Sequence, residues 1–251
     1  MPISLVIEER EGGEVAYIGL NRPAKLNALN QETVIALRDA VSPLCQRADL
    51  RVLVLTGTGE RAFSTGADIT ELSQFTPTEA RRFITALHEA HSALRALPVP
   101  VICRINGYCL GAGLEMAASC DIRVAVDTAI MGMPEVQVGL PSVIEAALLP
   151  RLIGWGRTNE LLMTGTPISA HQALSWGLVE SLSCAGELDR AVEQRVTAIL
   201  KAGALAVRAQ KKLMREWETL PIEQAIERGI EYLAQAYETQ EPRQLMDTDK
   251  R

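Results

Sequence analysis

The chain is poor in aromatic residues and has neither an excess of positive charge nor a long apolar run. Aromatic side chains make up 4% of its 251 residues, so the composition gives no support to an aromatic platform for carbohydrate or RNA. The formal net charge is −6 at pH 7, whereas a protein that binds the nucleic-acid backbone needs a basic face. No apolar run is long enough to span a bilayer. We therefore expect neither a nucleic-acid partner nor a membrane partner.

The N-terminus and the cysteines predict a cytoplasmic protein. Acidic residues begin at Glu8 and Glu9, which is too early for a signal peptide. The five cysteines are odd in number and show no Cys-x-x-Cys spacing. Most of them lie in apolar segments, as the buried thiols of a reducing compartment do. Cys109 lies nearest the candidate site described below, but no neighbour in the sequence would activate it as a nucleophile.

Three familiar nucleotide-binding and catalytic motifs are missing as well. The Gly-Ala-Gly segment at 111–113 is followed by Met116 where the dinucleotide-binding fingerprint needs a glycine. There is no Gly-Lys-Ser/Thr, which excludes a P-loop, and no Gly-x-Ser-x-Gly elbow of a serine hydrolase. His88 and His91 have no third ligand in view, so we interpret them as one face of a surface helix. No metal site is expected.

What the sequence does contain is a pair of glutamates in apolar surroundings. Glu115 and Glu135 lie twenty residues apart, the first after a glycine-rich segment and the second directly after a proline. An unpaired charge among apolar residues is costly unless the site uses it. Two carboxyl groups in one apolar pocket can divide acid and base roles between them. The pair is therefore the first candidate for a catalytic site.

Short apolar runs alternate with helical patterns, which predicts an α/β protein. Its length and 47% hydrophobic content suit one large domain, or one domain with an appendage. Helix starts are marked by Asn30 and by capping boxes at 76–79, 142–145 and 169–172. Strands are predicted over 3–7 and 15–20, which pair through a glycine turn, and over 51–57, 99–105 and 122–126.

From about residue 187 onward the sequence is wholly helical. Three predicted helices, 187–201, 205–217 and 221–237, have no strand between them. They are therefore expected to form an appended layer rather than part of the sheet. We predict a core over residues 1–186 and a helical region over residues 187–251.

Two glycine-containing turns between a strand and a helix expose backbone N–H groups. N–H groups at a helix N-terminus are a ready site for a developing oxyanion. One turn lies at 111–113, and the other, at 62–69, offers the Ala67 N–H. The glycines could equally serve close packing of a helix on the sheet, and the residues alone leave both interpretations open. Asp68 in the second turn is interpreted as a cap.

Several segments occur in the order that is typical of one protein family. They are Asn21-Arg22-Pro23 with Asn27-Ala28-Leu29, Phe63 to Ile69, Asn106 to Glu115, Cys120-Asp121, Pro134-Glu135, Gly139-Leu140-Pro141 and Trp176 to Val179. In these segments the chain resembles the enoyl-CoA hydratase/isomerase (crotonase) superfamily. The resemblance extends from about residue 3 to residue 240.

This resemblance implies a fold, an assembly and a class of substrate. The fold is a crotonase-like spiral of ββα units with an appended α-helical C-terminal region. The assembly is a homotrimer, often paired into a hexamer, in which the C-terminal region serves trimerisation and closure of the site. The substrate is an acyl-CoA thioester. Because coenzyme A enters as part of that substrate, no separate cofactor is expected.

Carried over position by position, the resemblance assigns roles to particular residues. The thioester carbonyl lies between two backbone N–H groups that fall on Ala67 and Ala112, and each such donor is typically worth about 3–4 kcal/mol of barrier. The two glutamates that flank the α,β-carbons and the water in hydratases map onto Glu115 and Glu135. Contacts with CoA and the rest of the substrate are implied for Lys25, Leu26, Thr65, Gly66, Asp68, Ile69, Gly111, Pro134 and Gly139.

The reaction does not follow from the fold, because the family also contains isomerases, dehalogenases, thioester hydrolases and lyases. Water addition needs a base for the water and an acid for the α-carbon. Retention of both Glu115 and Glu135 therefore favours an enoyl-CoA hydratase. The alternative is a Δ3,Δ2-enoyl-CoA isomerase, which can move one proton with a single carboxylate. A catalytically silent scaffold or RNA-binding member agrees poorly with the acidic charge and the two intact glutamates.

Three features depart from the common pattern of the family. The segment after Pro141 is usually glycine-rich, but here it places Glu145 near the site as a third acid, which we interpret as part of a capping box. Ala112 stands at the middle of the Gly-Ala-Gly turn, where it keeps its N–H but narrows the room above it. The segment 246–251 lacks the aromatic-plus-lysine tail that many relatives place over the adenine, so this contact is not predicted.

Overall fold

A computed structural model describes residues 1–248 of the chain. The last three residues of the C-terminal segment discussed above, 249–251, lie outside the described residues. Within the described part, two sheets and the helices around them give the predicted α/β class. No helix in this part is both long and apolar enough to cross a bilayer.

The larger sheet contains six strands, of which the first two form an antiparallel hairpin and the others run parallel. In spatial order they are β1 (Ile3–Arg10), β2 (Gly13–Leu20), β3 (Leu50–Gly57), β5 (Val101–Ile105), β7 (Ile122–Val126) and β10 (Ser181–Ser183). Strand β3 is buried at every position except Thr56. Its run of leucine and valine is typical of a parallel strand that is covered on both faces.

The smaller sheet is made of four very short strands, three of which directly follow a strand of the larger sheet, whereas the fourth follows the helix Leu149–Thr164. They are β4 (Ala62–Ser64), β6 (Tyr108–Leu110), β8 (Ile130–Gly132) and β9 (Ile168–Ser169). The chain repeats a strand in each sheet and then a helix, which confirms the predicted spiral of ββα units. The sequence did not predict the short strands, because two or three residues cannot display a period.

The helices start largely where capping residues predict. They are α1 (Gln31–Val41), α2 (Ile69–Leu72), α3 (Pro77–Ala96), α4 (Ala112–Ala118), α5 (Leu149–Thr164), α6 (Ala170–Trp176), α7 (Leu188–Lys201), α8 (Ala204–Trp217), α9 (Ile222–Ala236) and α10 (Glu241–Thr248). Asn30 caps α1, and Ser169 caps α6. Thr76 and Glu79 form the predicted capping box of α3. Helix α10 was not predicted.

Helix α7 packs on the larger sheet, whereas α8 is held mainly by polar contacts. Leu188, Val192 and Val196 of α7 belong to the same buried cluster as the sheet residues. On α8, the Lys211 ammonium donates to the Asp121 carboxylate at 2.7 Å. The main core therefore extends across the predicted boundary at residue 187.

Candidate active site

The first glycine-containing turn follows β4 and is held by the segment that precedes α1. Leu29 lies beside Ala67 in a parallel bridge. The Leu29 N–H donates to the Gly66 carbonyl at 2.8 Å, and the Asp68 N–H donates to the Leu29 carbonyl at 2.9 Å. These two hydrogen bonds use the carbonyl of the residue before Ala67 and the N–H of the residue after it. The Ala67 N–H itself is left pointing away from the bridge.

The second turn follows β6, where Gly111 precedes the first residue of α4. Gly111 has φ +52°, a left-handed conformation that favours glycine. Its N–H donates to the Gly132 carbonyl at 2.8 Å. Ala112 then occupies the first helical position, where an N–H has no partner within the helix. The chain geometry thus presents the Ala112 N–H at the N-terminus of α4.

The two turns lie against each other because Gly66 has no side chain. Gly66 has φ +87°, and a Cβ placed on it would lie 3.1 Å from the Ala112 nitrogen. Within residues 1–248, neither the Ala67 N–H nor the Ala112 N–H donates a hydrogen bond to another group of the protein. The two predicted donors therefore lie on neighbouring turns, and neither is used by the described part of the protein.

Glu115 lies one turn into α4 and is almost fully buried. Glu115 is only 3% exposed, and its Oε1 accepts a hydrogen bond of 3.2 Å from the Ala146 N–H. Burial and the nearby charge of Glu135 raise the pKa of Glu115 to about 8. The carboxyl group is therefore protonated at neutral pH, which makes it able both to give and, after ionisation, to accept a proton.

Glu135 lies in the 3₁₀ turn Pro134–Val138 and faces the N-terminus of α4. A Cβ placed on Gly111 would overlap the Oε1 of Glu135, so this carboxylate approaches closely because of the glycine. Its other oxygen accepts a hydrogen bond of 2.8 Å from the Ser142 hydroxyl. Glu135 thus lies against the N-terminal end of α4, the helix that carries Glu115.

A cavity of about 630 Å³ contains both glutamates and both turns. Nine of the predicted site residues line it: Thr65, Gly66, Ala67, Ile69, Gly111, Ala112, Glu115, Pro134 and Glu135. The remainder of its wall is mostly apolar and comes largely from the segment after Asp68 and from α3. These two segments contribute Leu72, Phe75, Phe83, Ile84 and Leu87, and Val143 is added from the loop after Pro141. A cavity with a polar end and an apolar end suits a substrate with a polar reacting group and an apolar chain.

Four predicted contact residues lie outside the lining of this cavity. Lys25 is the last residue of the 3₁₀ turn Pro23–Lys25, and Leu26 follows it. The Leu26 carbonyl accepts a hydrogen bond of 3.2 Å from the Thr65 N–H. Gly139 ends the turn that carries Glu135. Asp68 caps α2, as predicted, and pairs with Arg22 at 3.0 Å. The contact roles of these four residues stay predictions, as do the roles of the nine residues that line the cavity.

The predicted capping box at 142–145 is wrong. The 3₁₀ turn Ile144–Leu148 has no side-chain cap. Ser142 instead donates to Glu135, and Glu145 turns inward between His88 and His91, at 2.7 and 3.0 Å from their Nδ1 atoms. Tertiary contacts with α3 and with the site thus replace the local bonds that the sequence spacing suggested.

The prediction that His88 and His91 both lie on the surface of a helix is also wrong for His91, because this residue is fully buried. Helical spacing placed both histidines on one face correctly, but the sequence could not show that Glu145 packs against it. Three cysteines, Cys103, Cys109 and Cys120, are buried as predicted. Burial raises the pKa of the Cys109 thiol, which agrees with its interpretation as an unreactive group.

The sequence did not connect Ser142 or Ala146 with the two glutamates of the candidate site. The Ser142 hydroxyl contacts Glu135, and the Ala146 N–H contacts Glu115. Neither residue type marks a site by itself. Their position within five residues of the Gly139-Leu140-Pro141 segment is the one signal that could have drawn attention to them.

The comparisons with known proteins agree with this geometry. A family model described as enoyl-CoA hydratase/isomerase matches residues 10–248. The crotonyl-CoA hydratase of Syntrophomonas wolfei subsp. wolfei is 34% identical, over 97% of this chain and 93% of the relative. The short-chain-enoyl-CoA hydratase of Clostridium acetobutylicum is 33% identical, over 98% of this chain and 94% of the relative.

Solved structures show the same similarity. The crystal structure of an enoyl-CoA hydratase from Bacillus anthracis has a TM-score of 0.94 and 29% sequence identity, over 100% of this chain and 96% of that one. The fold is therefore the crotonase fold, and the protein is an enzyme of the class that acts on acyl-CoA thioesters. More specifically, the chain belongs to the enoyl-CoA hydratase/isomerase family.

Proposed function

We propose that the protein is an enoyl-CoA hydratase, which adds water across the 2,3 double bond of a trans-2-enoyl-CoA. The observation that carries this proposal is the pair of carboxyl groups in one cavity beside two unused backbone N–H groups. Glu115 is buried and protonated, whereas Glu135 accepts from Ser142. Water addition needs both an acid and a base, and this cavity supplies two groups in different environments.

The thioester oxygen binds between the N–H groups of Ala67 and Ala112. When the water oxygen bonds to C3 and the water loses a proton, negative charge moves onto the thioester oxygen. The product of this step is an enolate. Donors that are already in position stabilise this charge more than the neutral carbonyl, and they do so without reorganising. The positive end of the α4 dipole, at Ala112, acts in the same direction.

The two glutamates exchange one proton during the reaction. Hydration starts after the proton of the pair has passed from Glu115 to Glu135. Ionised Glu115 then accepts a proton from water while the water oxygen bonds to C3, and protonated Glu135 gives its proton to C2. The pair carries one proton before and after the reaction, but this proton must return from Glu115 to Glu135 before the next turnover. With the proton on Glu115, the same pair is ready for the reverse reaction, loss of water from a 3-hydroxyacyl-CoA.

The substrate supplies coenzyme A, and we propose that no other cofactor takes part. The apolar wall of the cavity, with Leu72, Phe75 and Phe83, is placed to receive the acyl chain. Lys25, Leu26 and Asp68 are proposed contacts for CoA at the edge of the Thr65 turn. The relatives named above act on crotonyl-CoA and short-chain enoyl-CoA, which makes crotonyl-CoA the first substrate to test.

One experiment separates the hydratase from the alternative Δ3,Δ2-enoyl-CoA isomerase. The protein is mixed with short, long and aromatic trans-2-enoyl-CoAs, and the absorbance band of the enoyl thioester is followed. A hydratase abolishes the band and forms 3-hydroxyacyl-CoA. The matched assay supplies the 3-enoyl-CoA of equal length, from which an isomerase generates the band. Formation of the band from the 3-enoyl-CoA, with no hydration of the 2-enoyl-CoA, would replace our proposal with the isomerase.

The raised pKa of Glu115 predicts a loss of hydratase activity at alkaline pH. Glu115 loses its proton at about pH 8 while Glu135 is charged, so above this pH the pair has no proton left for C2. We expect kcat/KM for crotonyl-CoA to fall about tenfold per pH unit well above pH 8. The pH profile of kcat/KM measures this. A profile that still rises between pH 8 and pH 10 in a stable protein would contradict the shared proton.

We also propose that the protein forms a homotrimer and that two such trimers can pair into a hexamer. One face of α9 leaves four large apolar side chains exposed, namely Ile222, Ile226, Ile230 and Leu233, each at least 59% exposed. An apolar face of this extent is typical of a surface that another subunit covers. Light scattering at micromolar concentration should give three or six times the mass of the chain. A stable monomer would contradict the prediction, and Ile226→Glu with Ile230→Glu should weaken the assembly.

A further inference from the structure

Glu145 is the third acid near the site, and its carboxylate has two histidine partners. Glu145 is only 6% exposed. Its Oε1 lies 2.7 Å from the Nδ1 of His88, and its Oε2 lies 3.0 Å from the Nδ1 of His91. Both histidines come from one face of α3, three residues apart. His91 is fully buried, whereas the His88 side chain is 53% exposed.

The protonation of this cluster follows from its contacts. Burial raises the pKa of Glu145, but the hydrogen-bonded contacts with His91 and His88 lower it by more, so the group is a carboxylate. A carboxylate only accepts, so each Nδ1 carries a proton and donates. Burial lowers the pKa of His91, and its Nε2 has no hydrogen-bond partner among the described residues. His91 is therefore the neutral Nδ1–H tautomer, because an unpaired buried N–H would cost more than an unpaired lone pair.

The five-residue loop 142–146 joins this cluster to both proposed catalytic acids. Ser142 donates to Glu135 at 2.8 Å, and the Ala146 N–H donates to Glu115 at 3.2 Å. Glu145 is the residue directly before Ala146. A shift of Glu145 would therefore move the donor of Glu115 with it.

The loop also contains a backbone conformation that needs support. Ile144 has φ +41°, in the left-handed region that a β-branched residue rarely adopts. Such a conformation costs about 1–3 kcal/mol and persists only where surrounding contacts hold it. The next residue, Glu145, provides two charge-assisted hydrogen bonds to α3, and bonds of this type are the strong ones.

We propose that Glu145, held by His88 and His91, is a positioning residue that keeps the loop 142–146 in the conformation required for catalysis. Glu145 does not line the cavity that contains the two glutamates. It acts by presenting the Ala146 N–H to Glu115 and the Ser142 hydroxyl to Glu135. This inference rests on the proposed function, because it assigns the cluster a role in the proton exchange of those two glutamates.

The test compares two substitutions of His91 that differ in one property. His91→Leu fills space but removes the Nδ1–H donor, whereas His91→Asn places an amide N–H near the position of Nδ1. We expect His91→Leu to lower kcat for crotonyl-CoA about 10- to 100-fold with KM changed less than about threefold, since displacement of a catalytic group by an ångström has effects of this size. His91→Asn should recover most of this loss. His171→Leu, on the exposed histidine of α6, is the control.

A third variant, Glu145→Gln, tests the charge of the cluster. Glu115 faces two carboxylates, those of Glu135 and Glu145, while Glu145 faces the two histidines of α3. Removal of the Glu145 charge should let Glu115 lose its proton more easily, so the alkaline fall of kcat/KM should move to lower pH. The amide keeps one acceptor for His91, and the exposed His88 can change its tautomer to accept from the amide.

A readout that does not depend on hydration separates the two proposals. Exchange of the α-protons of butyryl-CoA with solvent deuterium needs the oxyanion donors and a carboxylate, but no water addition. Exchange without hydration in the natural protein would defeat the hydratase proposal and leave the cluster testable by exchange. The positioning role is overturned if His91→Leu lowers the melting temperature but keeps kcat, or if His91→Asn is as slow as His91→Leu. An alkaline limb unchanged in Glu145→Gln would overturn it too.

Discussion

Replacement of either proposed catalytic acid by its amide, Glu115→Gln or Glu135→Gln, is expected to lower kcat for crotonyl-CoA hydration by about 10²–10⁴-fold. The amide keeps the shape and most hydrogen bonds of the carboxyl group but cannot exchange a proton. Initial rates from the enoyl-thioester absorbance measure the loss. Because both groups act on one shared proton, the double variant should lose far less than the product of the two single losses.

The stability of the Glu115→Gln variant shows whether it has folded and whether Glu115 is buried as a neutral acid. Unfolding lowers the pKa of Glu115 from about 8 to its usual 4.5, so between these pH values the folded state holds a proton that the unfolded state releases. The free energy of unfolding therefore falls as pH rises from 4.5 to 8. An amide carries no charge to bury, so the variant should be more stable than the natural protein above pH 8, by up to about 5 kcal/mol.

The control for both amides is Glu11→Gln, in the turn between β1 and β2, where no effect on rate is expected. One pattern of results would refute the hydratase proposal. If Glu115→Gln keeps full turnover of a 3-enoyl-CoA while Glu135→Gln abolishes it, a single carboxylate suffices. The protein would then be an isomerase in which Glu135 is the base.

Loss of the second oxyanion donor, in Ala112→Pro, is expected to lower kcat by at least about 10²–10³-fold. Proline has no N–H, so the thioester oxygen loses one of its two proposed partners, and the ring occupies part of the space of that oxygen. The fold should be retained, because Ala112 is the first residue of α4 and proline is well accepted at this position. Its N–H makes no hydrogen bond within the described protein that proline would break.

A matched control is available in the same chain. Ala204 is the first residue of α8, outside the cavity, so Ala204→Pro makes the same backbone change without removing an oxyanion donor. Its kcat should equal that of the natural protein. Melting temperatures of the two proline variants show whether each has folded. A folded Ala112→Pro with a normal rate would remove Ala112 from the proposed oxyanion site.

The parts of the fold that the sequence predicted are those controlled by neighbouring residues. Asn30 and the Thr76–Glu79 capping box mark helix starts by bonds that span three residues, and both form as predicted. The strand 51–57 was predicted from its continuous apolar run. The short strands of the smaller sheet could not be predicted in this way, because their pairing depends on partners that lie far along the chain.

The candidate site shows the same division. The glycines at 66 and 111 indicated turns that expose N–H groups, but their second interpretation, close packing, is also realised. An added Cβ at Gly66 would lie near the Ala112 nitrogen, and one at Gly111 would overlap Glu135. The same glycines thus bring the turns together and leave their donors unused. Close packing and exposed N–H groups are therefore one arrangement in the tertiary structure.

The sequence by itself determined the class of fold, the family resemblance and the two glutamates, since these depend on residue type, period and motif order. The tertiary structure decided the environment of each acid. It buried Glu115 beside Glu135 and so raised the pKa of Glu115 to about 8. It also turned Glu145 from a presumed cap into the partner of two histidines. The reason is physical: burial and contact between charges depend on distances in space, and these arise only when distant segments pack together.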